Sequence, residues 1–520
     1  MRPQSIPRLE PPRPRLSAGV IPYRISATGD CEIFWVRRSK SLRFMGGWNA
    51  FPGGRLSERD ADLPVSGRLD GHAAYLASGK RAAHVGCALR ELFEEAGILP
   101  AVGTGPAAAE IERARDALLA DGLDFARWLR RHGLALDASG LGYAGRWVTP
   151  PLSHIRFDAT FFLLEWPADR PRQPSVIPGE LAAGEWVAAG EALARWEGGD
   201  VFLAQPTLET IRVLAEEGPA GRTRLWKSQA REPDSPHSIE FRPLTRVIPL
   251  ASRTLPPATH TNALLLGGED IVLVDPGSPW EGELRRLIRI IDSEARRTGG
   301  RLVGIWLTHQ HDDHVAGAEA IRRRYDVPIH CHSATAAQLR DEGIRIEGRL
   351  EDGQAVDLPG RPPLRIRVVH TPGHSSGHLC FFEERTRTLL CGDMLSGYST
   401  VVINPPDGSM TEYIESLDKL TALRPQVILP SHGTMFPEAG KALNAARQHR
   451  LRREDSVLAA WRDGERDPES MLAKVYDEPE LHPAARPVAV RQILAHLERL
   501  ESDGRIDRLP QGVRDLIGHR

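Results

Sequence analysis

The chain has 520 residues, with 67 Lys and Arg against 69 Asp and Glu, for a net charge of -2. Such a length exceeds one hydrophobic core and points to about three domains, while the near-neutral balance makes no general case for a nucleic-acid or membrane-surface partner. Apolar runs such as NALLL and DIVLV stop far short of the roughly 20 residues a membrane helix needs, and five cysteines without a CxxC pair suggest reduced thiols in a cytoplasmic setting.

Residues 1–17 are rich in Arg and Pro and lack an apolar segment, so they read as a flexible tail rather than a secretory signal. Residues 18–217 carry the strand-like runs AGVIPYRI, EIFWVRR, ATFFLLEW and EWVAAG around one strongly helical segment, RAAHVGCALRELFEEAG. This predicts one α/β unit. Residues 218–241 are polar, rich in Gly, Pro and Ser, and show neither helical nor strand periodicity, which predicts a linker. From 242 to 440, short apolar strands (DIVLVD, LVGIWLTH, LRIRVVHT, TLLCGD, QVILPSHG) alternate with helical stretches, and nearly every strand ends on His or Asp. Residues 441–520 read as helices without strands, a small helical or winged-helix module. The fold class is thus α/β and α+β multidomain. Within the last segment the basic run RQHRLRR, Arg447–Arg453, reads as a cradle for a phosphate backbone or an anionic thiol carrier, or as a solvated helix face.

The loop LTHQHDDHV concentrates ligand-type side chains. Residues at i and i+2 of an extended loop project together, so His309 and His311 can grip one cation, while Asp313 and His314 reach a second. Three further strand ends contribute His374, Asp393 and His432. Nitrogen and carboxylate ligands drawn from separate strand ends, with no Cys among them, suit two borderline ions, zinc first and manganese or iron after it; a closed structural zinc site uses four local ligands, mostly Cys. His330 and His332 read as ordinary histidines, and His378 as ordinary or as a partner standing behind the ligands.

THxHxDH, followed by TPGH, GD and SHG and preceded by VDPG at Asp275, resembles the metallo-β-lactamase superfamily, an αββα sandwich. The resemblance implies one metal on His309, His311 and His374, a second on Asp313, His314 and His432, a bridging Asp393, and an Asp275 that supports the site without binding metal. It also implies hydrolysis by a hydroxide held between the two ions, with Asp313 and His311 indispensable. The stretches PATHTNALLLGG, GDMLSGYSTVV, YIESLDKL and HGTMF resemble the lactamase-like ribonuclease branch with a C-terminal winged-helix-like domain, which implies single-stranded RNA as substrate. The glyoxalase II group, also with a helical C-terminal domain, implies a thioester instead. Both readings stay open here.

In RELFEEAGI, Glu91, Glu94 and Glu95 stand at i, i+3 and i+4 and share one helix face. Such a cluster holds Mg²⁺ or Mn²⁺ against a diphosphate, or else forms an exposed acidic face. The segment, with WNAFPGG before it and GEWV after, resembles the Nudix box and its α/β/α sandwich; the surrounding stretches resemble the branch that cleaves coenzyme A-type diphosphates. This implies Glu94 and Glu95 as Mg²⁺ ligands, Glu91 assisting the water, Glu185 as a distal acid and a carbonyl from Gly53. The family's upstream Gly and Glu fall at Leu76 and Ala82, so the unit is either a second hydrolase or a binding module. No membrane partner is implied, and the joint substrate class is a diphosphate-linked or acyl-thioester small molecule.

Overall fold

The computed structural model describes residues 13–42, 45–71, 81–149, 155–170, 172–228, 238–476 and 485–518. The chain divides into two compact units, Leu9–Ser235 and Pro236–Arg520. Most of the 1–17 tail, Leu76 and the middle of the 218–241 segment lie outside the described residues.

In the first unit a mixed sheet has the order β5-β2-β1-β4-β3, formed by β1 (Arg15–Ile25), β2 (Cys31–Arg38), β3 (Leu141–Val148), β4 (Phe157–Glu165) and β5 (Leu181–Ala188). Alternate side chains of these strands feed two cores. Val20, Phe34, Val36, Phe162 and Leu164 pack under α1 (Arg81–Ala96), α2 (Ala108–Leu119) and α3 (Phe125–Arg131). Ile21, Ile33, Trp35 and Leu163 pack on the other side, under α4 (Ala189–Gly198) and α5 (Gln205–Glu217). The expectation of one strongly helical segment is therefore corrected: α2 to α5 are helical too, and Ile111, Ala114 and Leu118 of α2 and Phe125, Trp128 and Leu129 of α3 recur at the spacing of a helix face. A second correction concerns the predicted linker. Its described start forms α6 (Arg222–Ser228), whose Leu225 is buried in the second of these cores, and the Trp226 indole N–H donates to the Tyr143 carbonyl.

Arg115 of α2 is buried and ties down the end of α1. Its guanidinium donates to the carbonyls of Glu94, Glu95 and Ser175 at 2.8–3.0 Å, where the helix leaves carbonyls without intrahelical partners. Arg115→Met is expected to cost about 3 kcal/mol, since three buried acceptors lose a charged donor; an unchanged urea midpoint for the first unit's transition would rule this out.

The second unit opens with a seven-stranded sheet in sequence order: β6 (Ile239–Arg242), β7 (Thr245–Ala251), β8 (His260–Leu266), β9 (Asp270–Val274), β10 (Arg301–Trp306), β11 (Ile329–Cys331) and β12 (Gly348–Arg349). A five-stranded sheet follows, again in order: β13 (Ala355–Leu358), β14 (Leu364–His370), β15 (Leu379–Glu383), β16 (Thr388–Leu390) and β17 (Val427–Leu429). Strands β8, β9 and β15 are buried on both faces, as sheets covered on both sides require. Ala263, Leu265, Ile271 and Leu273 face α7 (Glu281–Thr298) and α9 (Ala318–Tyr325), while Cys380, Phe382 and Leu389 face α11 (Met410–Ala422). Trp306 of one sheet meets Phe381 of the other at 5.1 Å between ring centres, so the layers run helix, sheet, sheet, helix.

A 24-residue helix, α12 (Ala439–Arg462), begins in the core of the second sheet through Leu443 and ends in a separate helical core through Val457 and Trp461. It is joined there by α13 (Pro468–Val475), α14 (Arg486–Ser502) and α15 (Gln511–Ile517). Among the described residues this module holds no strand, and no helix is long and apolar enough to cross a membrane. Four of the five cysteines are buried and Cys31 half-buried. Burial pushes their thiols up, to about 11 for Cys31 and about 12 for Cys331 and Cys380.

Candidate metal centre

Strand β10 delivers Thr308 and His309 to the end of the first sheet, beside the end of β9, where Asp275 adopts a positive φ of 48°. Asp275 is buried and is used three times: it accepts from the Thr308 N–H at 2.8 Å, from the Thr308 hydroxyl at 2.7 Å and from His314 Nδ1 at 2.8 Å. Gly277 has no room for a side chain, because a Cβ there would lie 1.6 Å from the Asp313 carbonyl. The VDPG turn is thus the seat of the histidine loop. Asp312–Val315 form one helical turn, α8, in place of plain loop, so Asp313 and His314 are presented from its first residues.

Three groups of ligand atoms converge: His309, His311 and His374; His309, His314 and Asp393; and Asp313, His314 and His432. His311 Nδ1 lies 2.8 Å from His309 Nε2 and 3.0 Å from His374 Nε2. Asp393 turns Oδ2 toward His374 Nε2, at 3.6 Å, and Oδ1 toward His432 and His314 Nε2, at 3.4 and 3.6 Å. His432 Nε2 is 3.3 Å from Asp313 Oδ2. One carboxylate therefore offers an oxygen to each group.

The donor set fits divalent cations by two tests. Ligands bonded at about 2.0–2.1 Å to a tetrahedral ion stand about 3.3 Å apart, close to the separations around Asp393 and longer than good hydrogen bonds. His314 Nε2 and Asp393 Oδ1 are buried with no hydrogen-bond partner, a costly arrangement unless a cation takes the lone pairs. The outer ring nitrogens are meanwhile occupied. His374 Nδ1 donates to the Val402 carbonyl at 2.6 Å and His432 Nδ1 to the His260 carbonyl at 2.9 Å, which turns each Nε2 inward. Burial, with neighbouring histidines, drives His309 well below the usual range and His311 down to about 4, so both rings are neutral donors. Around Asp313 the balance reverses: burial would raise its carboxyl, but His314 and His432 hold it down to about 2. Against the same burial, Asp393 and Asp313 lift His432 to about 10. The carboxylates here demand positive charge.

Several supporting residues carry no motif of their own. Asn262 fixes the His432 loop through its side-chain amide, which donates to the carbonyls of Pro430 and Gly433, and through its N–H, which donates to Ser431. Asp407 accepts from Gln310, Gln338 and Ser376 and thereby laces the histidine loop to the segment before His378. His378 is fully buried and belongs to none of the converging groups, its ring lying 5.2 Å from that of His309; its Nε2 accepts from the Asp393 N–H at 3.0 Å and its Nδ1 meets the Thr371 hydroxyl at 2.9 Å. A Cβ on Gly392 would strike His378 Nε2 at 2.4 Å. His330 and His332 stand apart from the converging groups, the latter stacked on His370.

In the first unit, α1 brings Glu91 and Glu95 against Gly53 and Gly54, which lie in a short strand paired with β1. A Cβ on Gly54 would come within 2.4 Å of the Glu91 carboxylate, and Glu95 accepts from the Gly53 N–H at 2.8 Å. Burial first, and like charge next, raises Glu91 to about 7 and Glu95 to about 8. Glu94 is held by Arg90 at 3.0 Å, and Arg90 also binds Glu91 and the buried Asp60. Glu185 is corrected. It sits opposite Trp35 on β5, accepts from the Trp35 indole and pairs with Arg195 of α4, on the face of the sheet away from α1. Ala82 is exposed in the first turn of α1, about 13 Å along the axis from Glu91, so a side chain there would not complete the carboxylate cluster. The basic run is corrected as well. Arg450 is buried, Arg453 donates to the Val475 carbonyl and stacks on Tyr476, and Arg447 pairs with Asp418, so these side chains point into the protein or onto partners.

A sandwich of this layering with a His/Asp centre at its strand ends defines a class. Residues 256–432 match the metallo-β-lactamase superfamily and residues 468–514 the β-lactamase associated winged helix domain; the second unit thus carries a hydrolase domain of the metallo-β-lactamase fold, which implies divalent-metal binding. It is 27% identical to the "Beta-lactamase-like protein 2 homolog" of Caenorhabditis elegans over 48% of this chain and 80% of that one. It is 26% identical to an "Atrochrysone carboxyl ACP thioesterase" of Aspergillus chevalieri over 39% of this chain, spanning 61% of that protein's length. A solved NUDIX hydrolase from Alicyclobacillus acidocaldarius is 31% identical, covers 39% of this chain and 91% of its own, and has a TM-score of 0.32.

Proposed function

We propose that the second unit is a binuclear metal-dependent hydrolase of acyl thioesters and that the first is a Nudix-type hydrolase of coenzyme A-like diphosphates. The observation that carries the first half is Asp393, whose two oxygens face two separate ligand groups. When bound, two divalent cations, zinc, manganese or iron, supply an acidified water and offset the charge that develops on the scissile carbonyl. The protein's part is preorganisation. The carbonyls of Val402 and His260 hold the outer protons of His374 and His432, Asp275 holds that of His314, and His378 fixes the backbone of Asp393. A thioester is preferred because a relative is named as an acyl-carrier thioesterase. The Arg447–Arg453 run does not separate this substrate from single-stranded RNA: Arg450 is buried and Arg447 and Arg453 are engaged, which leaves Arg452 exposed to meet an anion of either kind.

The reading of the first unit rests on the Glu91–Glu95 pair. Burial raises both of these half-buried carboxyls, and a Mg²⁺ or Mn²⁺ would supply the charge that favours their ionised forms. Glu94 and Glu95 would hold it against a diphosphate, with Glu91 assisting the water, although these carboxylates are not among the converging ligand groups of the described residues; Glu185 has no part.

The full chain, loaded with zinc or manganese, is offered acyl-coenzyme A esters, single-stranded RNA and coenzyme A side by side, with Asp313→Ala and Glu94→Gln as controls. Thioester cleavage is expected to vanish with Asp313→Ala alone, and diphosphate cleavage to fall with Glu94→Gln alone. RNA cleavage in place of thioester cleavage would overturn the first assignment. Wild-type protein without diphosphatase activity would reduce the first unit to a binding module.

A further inference from the structure

The run RQHRLRR and the helical module behind it are given no task by the hydrolase reading, yet their buried side chains lead directly to the metal centre. Arg450 on α12 lies 3% exposed, an uncommon place for a guanidinium. It donates to the Val401 carbonyl at 2.6 Å and to Gln492 Oε1 at 3.2 Å. Gln492, on α14 and within the winged-helix match, donates to the same Val401 carbonyl at 3.1 Å. The next carbonyl along, Val402, is the one that takes the outer proton of His374. On its other side Arg450 stacks over Tyr413 at 5.1 Å, and the Tyr413 hydroxyl donates to the carbonyl of Met394, the neighbour of Asp393. Tyr413 also presses on the turn before His374, for a Cβ on Gly373 would lie 2.3 Å from its backbone.

We infer that the C-terminal helical module is a part of the metal centre's frame: Arg450 and Gln492 are positioning residues that clamp Val401 and so hold His374 in its ligating orientation. The inference rests on the binuclear reading of the preceding section. Its physical basis is that groups behind a metal-binding histidine fix its tautomer and aim, and that removing them typically costs 10–100-fold in metal affinity. An ordinary surface appendage would have no such effect. Because His374 belongs with His309 and His311, the effect falls on one ion and leaves the ion held by Asp313, His314 and His432 in place.

The test uses metal-free full-length protein titrated with cobalt(II), whose visible absorption reports ligand geometry, with affinities set by chelator competition. Compared with wild type are Arg450→Met, Gln492→Leu and Leu497→Ala, the last removing a side chain buried in the module's own core. In the first two variants, one of two binding phases is expected to weaken tenfold or more with a changed spectrum, while Leu497→Ala lowers the melting temperature with both phases intact. Gln492→Leu keeps the bond from Arg450 to Val401 and carries the test if Arg450→Met fails to fold. Variants that melt early but bind both ions with the wild-type spectrum would reduce Arg450 and Gln492 to packing. Wild-type protein that takes up fewer than two ions would instead remove the binuclear reading, and this inference with it.

Discussion

Asp313→Ala is expected to lower hydrolysis by at least about a thousandfold at saturating metal, because several kcal/mol of transition-state stabilisation depend on a correctly held ion. The residue sits where that dependence is greatest. Its carboxylate lies 3.3 Å from His432 Nε2 and shares the burial of Asp393, so the vacated space would be lined by two imidazoles and one acid with no substitute ligand. The fold should survive, since Asp313 occupies the first turn of a four-residue helix and the loop is seated by Asp275 and Gly277. His311→Ala tests the other group of ligands with the same expectation. Steady-state rates after dialysis against chelator and reloading would decide the matter; a variant with wild-type turnover would exclude the proposed centre.

The second large effect falls on stability. Asp275→Ala would strip acceptors from the Thr308 N–H, the Thr308 hydroxyl and His314 Nδ1, all within a region almost closed to water. Losing one partner of a buried, charged network typically costs about 3–5 kcal/mol, which for a unit of this size lowers the melting temperature by roughly 10 °C. The comparison belongs in metal-free protein, because bound metal adds its own stabilisation. Asp275→Asn, whose amide oxygen can accept the two bonds that share Oδ2 but not the third, is expected to fall between the two. If Asp275→Ala melts with the wild type, the seat of the histidine loop lies elsewhere.

The ligand residues were legible because they are polar groups at the ends of apolar strands, and each interrupts a local pattern: His309 after LVGIWLT, Asp393 after TLLCG, His432 after VILPS. What stands behind them was not legible. Asn262, Asp407 and Val402 act through carbonyls, amides and shared acceptors, for which side-chain identity carries almost no signal. Glu185 shows a different failure. Its place in GEWV marks a strand but not which face it turns outward, and the pairing with Trp35 is what sends it away from α1. A strand register one residue different would have reversed the assignment. The basic run misled through composition alone: a helix face rich in Arg reads as solvated until its acceptors, the Val401 and Val475 carbonyls, are known. Helix α6 was hidden because Gly218, Pro219 and Gly221 stand immediately before it, and its hold on the unit comes from Leu225 and Trp226, two residues in a polar run.

The burial of the thiols bears on how this protein meets oxidants. Thiolate is the form that peroxides and alkylating reagents attack, and here burial pushes the cysteine thiols up, to about 11 at Cys31 and about 12 at Cys331 and Cys380, which disfavours it. The candidate ligands are imidazoles and carboxylates throughout. With zinc in place, then, neither the ligands nor the cysteine thiols offer a thiolate to an oxidant. The sulfurs nearest the centre that lack this protection are thioethers, such as that of Met394 beside Asp393, and they are shielded by burial alone.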